Sequence, residues 1–334
     1  MELKQVKTKD DLEEAVVKTI AFFDLFDCPV TLNEIWRYSG ARRRLSEVIK
    51  FLEMEGLKDI FESKSGFYFL AGREELIKTR LARYNYTDRK FKRAIWVARV
   101  FKLVPWIKMM AVGNIIGAHN LKNEGDIDLF IITAKNRIWL ARFFCVGIIK
   151  LLNLRPKPGQ EKDKICLSFF VSEDNLDLRD LRLGQKGTKF PACASPLASA
   201  RRAGNLVPQG DIYFNYWLAG LVPIFNINNT YEKFIKANSW LRDFFPNWRE
   251  SGASHRRDVG RPLPKLYYYI LDFVFGWAEG LMQKFQIKIL PDNLKNLINK
   301  DTRTVVNDRV IKLYSNDRRE EYREKFYAKI KKLN

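Results

Sequence analysis

Histidine is almost missing from this chain of 334 residues; His119 and His255 are the only two. A multi-histidine metal centre, or catalysis shared among several histidines, therefore has no residues to build it. Cysteine is scarce as well. Cys28, Cys145, Cys166 and Cys193 lie far apart with no C-x-x-C pair, so neither a disulfide framework nor a structural zinc site is expected. Acidic residues are outnumbered, 39 against 59 Lys and Arg, a formal charge of +20. That excess favours polyanionic partners (nucleic acid, nucleotides or an anionic membrane surface) without choosing among them. Long apolar runs are missing too. Residues 138–154 include Arg142 and Lys150, and residues 266–282 include Asp272 and Glu279. Neither gives the ~20 apolar residues of a membrane span, so both read as buried helices and no integral membrane segment is expected. The charged first ten residues are unlike a secretion signal. With unpaired thiols, this points to the cytoplasm.

Against these absences, hydrophobic residues make up 46% of the chain, enough for a packed core. Apolar periodicity predicts a helix over 11–27, stopped by Pro29. Thr31 and Glu34 have capping-box spacing at the start of a short helix, Leu32–Tyr38. A third helix is expected over 42–55, closed by Gly56. Two short apolar runs flank Lys64-Ser65-Gly66, a hairpin signal. Three helices plus a hairpin resemble a winged helix over residues 1–72. In that arrangement Arg42, Arg43 and Arg44 sit at the start of the helix that meets DNA, where they contact phosphates. The alternative for the three arginines is a solvated basic helix end.

Residues 73–104 read as a long basic helical linker ending at Pro105. Beyond it the pattern alternates. Strands are expected at Ile107–Val112, at 126–133 and at Ile165–Ser172, with a helix over 136–152. This predicts a small mixed-sheet domain over 105–185. Residues 186–334 read as a helical C-terminal region. It contains an exposed loop at 191–210, a second loop at 247–264, an aromatic helix at 266–282 and a charged helical segment at 301–332. The fold class is α+β.

The chemistry concentrates at Gly125-Asp-Ile-Asp-Leu-Phe-Ile-Ile-Thr133. Side chains alternate faces along a strand, so Asp126 and Asp128 share one face while Ile127, Leu129 and Ile131 point to the other. Adjacent carboxylates repel and call for a cation. Hard oxygen ligands suit Mg²⁺, which binds through one or two carboxylates plus phosphates.

A strand ending in glycine, a short helix and Asp-x-Asp on the next strand resemble the DNA polymerase beta-type nucleotidyltransferase superfamily over about residues 105–175. The resemblance implies that Gly113 and Asn114, the latter where the family has serine, hold a nucleoside triphosphate at a helix N-terminus. It implies that Asp126 and Asp128 bind two Mg²⁺ ions, with a third carboxylate on a neighbouring strand. Residues 165–172 contain no acid, so Glu173, Asp174 and Asp163 are the candidates. The implied reaction is transfer of a nucleoside monophosphate from the triphosphate to an unidentified acceptor, releasing pyrophosphate. The competing expectation is a catalytically inactive regulator of the same fold that binds DNA through its winged helix.

Overall fold

In the computed structural model the described residues are 2–54, 59–113, 121–183, 210–248 and 264–333. The chain starts with helix α1 (Glu2–Asp24), strand β1 (Val30–Thr31), and helices α2 (Leu32–Tyr38) and α3 (Leu45–Leu52). Strands β2 (Phe61–Lys64) and β3 (Phe67–Leu70) follow. The Thr31 hydroxyl accepts from the Glu34 N–H, and the Glu34 carboxylate accepts in return from the Thr31 N–H, completing the expected capping box. Ser65 and Gly66 both have positive φ, 53° and 78°. That is the geometry of a tight two-residue hairpin loop, and it places β3 between β1 and β2 in an antiparallel sheet. Helix α3 begins at Leu45 rather than at Arg42, because Arg44 serves as its N-cap residue and its N–H donates to Glu47. Gly56 lies outside the described residues.

Helix α4 (Leu76–Phe101) leads into strands β4 (Ile107–Val112) and β5 (Ile127–Thr133), helix α5 (Ile138–Leu151) and strand β6 (Ile165–Ser172). Then come α6 (Ile212–Ala219), β7 (Val222–Asn226), α7 (Thr230–Ala237), α8 (Lys265–Phe275), α9 (Glu279–Lys288) and the single turn α10 (Asp292–Lys295). Strands β8 (Thr304–Val306) and β9 (Val310–Leu313) and helix α11 (Arg319–Leu333) end the described chain. The second sheet has the order β7-β4-β5-β6-β9-β8, and only β5 and β6 run parallel.

The region after residue 186, expected to be helical with loops, also supplies strands. Three of the six sheet strands come from there. The β8–β9 hairpin turns at Asn307-Asp308, between two apolar runs that the surrounding charge concealed, and the charged helix starts only at Arg319. Both faces of the sheet are covered. Met109, Ala111, Phe130, Ile132, Phe169 and Val171 pack with buried residues of α1, α6, α7 and α11. Ile127, Leu129, Ile131, Ile165 and Phe170 pack on the opposite face with residues of α4 and α5. The predicted alternation along β5 therefore holds, and the face of Asp128 is the face of Phe130.

Two more readings change. Helix α4 is basic in sequence, yet Arg80, Arg83 and Lys90 are buried on the stripe that continues into Ala94, Val97, Ala98 and Phe101. Arg80 pairs with Glu34 at 2.7 Å. The aromatic helix α8 buries none of its residues; Phe273 is 88% exposed. It is pinned instead by Asp272, which accepts from Trp106 and from both Arg137 nitrogens. No helix among the described residues is long and apolar enough to cross a membrane.

Candidate metal centre

Register brings the site together. β5 and β6 are parallel neighbours, with Asp128 paired to Cys166. Residues in register on adjacent strands project to the same face, so the Asp128 carboxylate and the Cys166 thiol stand side by side, with Asp126 two residues earlier on the same face. One ligand atom from each of Asp126, Asp128 and Cys166 lies within 4.8 Å of the other two, and all three residues are half-buried. Between Asp128 and Phe130 the pairing with β6 slips by one residue. A bulge of this kind re-aims side chains at a strand end.

The electrostatics are those of crowded acids. Burial pushes the Asp128 carboxyl up to about 7, the neighbouring Asp126 charge adds to the rise, and the Cys166 thiol opposes it by donating a hydrogen bond. Burial also raises Asp126, against the pull of its backbone hydrogen bond and the Lys90 ammonium. Cys166 is pushed well above the usual thiol range by burial and by the charges of Asp128 and Asp126. Burial is the first reason each group resists ionising, and for Asp128 and Cys166 the neighbouring carboxylate charges add to it, a condition that a bound cation relieves.

Surrounding groups fix this arrangement. The Gly113 N–H donates to the Asp128 carbonyl at 2.9 Å, tying the end of β4 to the acid strand. A Cβ on Gly113 would meet the Trp217 indole at 3.1 Å, so a larger residue there must displace that ring. Lys90 is fully buried. Its ammonium donates to the Gly125 carbonyl and pairs with Asp163 at 2.9 Å, holding the approach to β5. Tyr213 and Tyr314 are raised by burial and next by the charge of Asp128, so both phenols feel that carboxylate. Tyr314 shares a hydrogen bond with Ser168, and Tyr213 stacks on Tyr322.

The remaining expected residues are placed as follows. Asp163 lies near Asp126 in the fold, its N–H donating to the Gly125 carbonyl, but its carboxylate is held by Lys90 and by Arg89 at 3.0 Å. Glu173 and Asp174 follow the far end of β6, about 20 Å of strand from Cys166 at ~3.3 Å per residue. There Glu173 accepts from the Lys135 N–H and Asp174 from Ser172. None of the three joins the Asp126–Asp128 cluster, so the strand position beside Asp128 carries a thiol in place of an acid. Asn114 and His119 lie outside the described residues. Arg137 and Arg142, at the start of and within the helix after β5, are committed to Asp272 and Gln286. Arg42, Arg43 and Arg44 line a cleft of about 480 Å³ with Trp36, Glu47, Pro246 and Asn247, far along the chain from the acids.

Cys166, Lys90, Tyr213 and Tyr314 are the members that sequence reasoning passed over. Lys90 had a signal, since it falls on the helical stripe of α4 that becomes apolar at Ala94. Cys166 had none, because pairing with Asp128 is a property of register. No family model, no curated protein and no solved structure matches this chain.

Proposed function

We propose that the chain is a nucleotidyltransferase-type protein in which Asp126 and Asp128 hold a divalent cation that receives the phosphates of a nucleoside triphosphate. The observation that carries this is the Asp-x-Asp pair at the start of a central strand, Asp126 just before β5 and Asp128 within it, with ligand atoms clustered and half-buried. Two adjacent carboxylates fit Mg²⁺, which completes its shell with water and substrate phosphate. When bound, such an ion stabilises charge on phosphoryl oxygens. The chain's own residues do the rest. Gly113 holds the Asp128 backbone, and Lys90 holds the entry to β5. The proposed reaction is transfer of a nucleoside monophosphate to an acceptor with loss of pyrophosphate.

A second reading has its own support. In place of a third carboxylate the site has Cys166, and Asp163, Glu173 and Asp174 are held elsewhere. A missing general base costs about 10²–10⁴-fold in rate. A regulator that binds nucleotide without turning it over fits that gap. Its DNA-binding part would be residues 1–72, whose helix, strand, helix, helix, strand, strand order and β1-β3-β2 sheet support a winged helix, with Arg42, Arg43 and Arg44 towards phosphates.

Incubation with α-labelled nucleoside triphosphates and Mg²⁺, Mn²⁺ or Zn²⁺ in turn tests the first reading. Label should pass to the protein or an added acceptor, and Asp128→Asn should abolish the transfer. Nucleotide binding without transfer, together with salt-dependent duplex binding lost when the three arginines become alanine, selects the regulator. Neither binding nor transfer sinks both.

A further inference from the structure

We infer that Cys166 is the third protein ligand of the centre, and that the resident ion is a borderline divalent cation of the Zn²⁺ type rather than Mg²⁺. The inference rests on the metal-site reading of Asp126 and Asp128 and deepens it. Three observations carry it. Asp128 and Cys166 are cross-strand partners, so the backbone of two central strands, not a flexible loop, fixes the thiol against the carboxylate. The three ligand atoms lie within 4.8 Å of one another. Tetrahedral coordination at Zn–S ≈ 2.3 Å and Zn–O ≈ 2.1 Å places neighbouring ligand atoms roughly 3.4–3.6 Å apart, a spacing this cluster reaches by side-chain adjustment alone. Finally, the described cysteines differ. Cys28 and Cys145 are buried, whereas Cys166 is half-exposed beside two acids.

Donor chemistry then decides the ion. A thiolate is a poor ligand for Mg²⁺ and a good one for Zn²⁺, while two carboxylates are acceptable to either. Three protein ligands leave one tetrahedral position open, the pattern of reactive rather than structural zinc sites. That position can take water or a phosphate oxygen. Binding displaces the Cys166 thiol proton to solvent, so uptake of the ion releases a proton. The alternative role for Cys166 is that of a small side chain whose thiol merely satisfies Asp128.

Co²⁺ titration of the full chain separates these, because a cobalt–thiolate bond gives a charge-transfer absorption that a carboxylate site lacks. The expected result is one Co²⁺ per chain with that absorption, retained in Cys193→Ser. Equimolar Zn²⁺ should displace it, and Mg²⁺ in about 1,000-fold excess should not. Cys166→Ser should lose the absorption and weaken binding by at least the roughly 10–100-fold that outer-shell partners alone are worth. Cys166→Asp, an all-oxygen site, should regain Mg²⁺ binding. If Co²⁺ binds without the absorption and Cys166→Ser binds equally well, the thiol is no ligand, yet loss of binding in Asp128→Asn would leave the carboxylate site standing. If neither the wild type nor Cys166→Asp binds Mg²⁺, Mn²⁺, Co²⁺ or Zn²⁺, the metal-site reading fails and this inference with it.

Discussion

Asp128 sets the electrostatic character of the centre. Its carboxyl stands at about 7 because burial and Asp126 both disfavour the anion. An unfolded chain releases that proton near ~3.9. Between those values the folded state holds the proton longer, so in metal-free protein stability falls as pH rises from about 4 to about 7. Asp128→Asn removes this term. Its unfolding free energy, followed by denaturant titration at several pH values, should decline less than the wild type's across that window. A steeper decline would contradict the assignment. Lys90 acts through other residues. Lys90→Met deprives the Gly125 carbonyl of one of its two donors and the Asp163 carboxylate of one of its two cations. A loss of about 1–3 kcal/mol in unfolding free energy is expected, the cost of losing a buried ammonium's hydrogen bonds. The alternation that puts the two acids on one face was legible in the sequence, since a period of two is local. The partner at Cys166 was not. It depends on how β6 aligns with β5 across an intervening helix, and nothing in the residues 165–172 encodes that offset.

At the scale of elements, the strongest signals were those with short-range chemistry. The Thr31–Glu34 box, the Ser65-Gly66 turn and the apolar strands β4, β5 and β6 were all readable because capping, turn geometry and alternation act over a few residues. The hidden elements depend on distant partners. The arginines of α4 read only as part of a basic helical linker, whereas Glu34 and the carbonyls of Pro29, Phe26 and Asp27 hold Arg80 and Arg83. Helix α11 is charged along its length, yet Arg319 at its start is buried. It pairs with Asp211 at 2.6 Å and with Asp317 at 2.8 Å, and donates to Thr302 and to the Leu181 carbonyl. Arg319→Met leaves buried Asp211 without its cation and Asp317 with Lys312 alone, and should cost about 3–5 kcal/mol, measurable by chemical denaturation. A change under 1 kcal/mol would mean that the network is replaceable. Helix α8 behaves oppositely. Phe273 is 88% exposed, so Phe273→Ser should alter stability by no more than about 0.5 kcal/mol.

For the molecule as a whole, one mixed sheet with two cores organises everything, and the later strands are as much a part of it as the earlier ones. The division into a small sheet domain and a helical tail read too much from local periodicity. β7 contains Pro223, which a central strand excludes but an edge strand accepts, and β8–β9 is a short hairpin between charged segments. Helices α1, α6, α7 and α11 cover the Phe130 face of that sheet, and the acid pair lies half-buried at one end of it. That placement gives the acids a low-dielectric surrounding, and it makes cation binding the central claim. Equilibrium titration calorimetry with Mg²⁺, Mn²⁺ and Zn²⁺, on the wild type and on the double variant Asp126→Asn, Asp128→Asn, tests it most directly. The account predicts saturable binding of at least one of these ions by the wild type and none by the double variant while it remains folded by circular dichroism. Equal binding by both proteins, or none by the wild type, would contradict it.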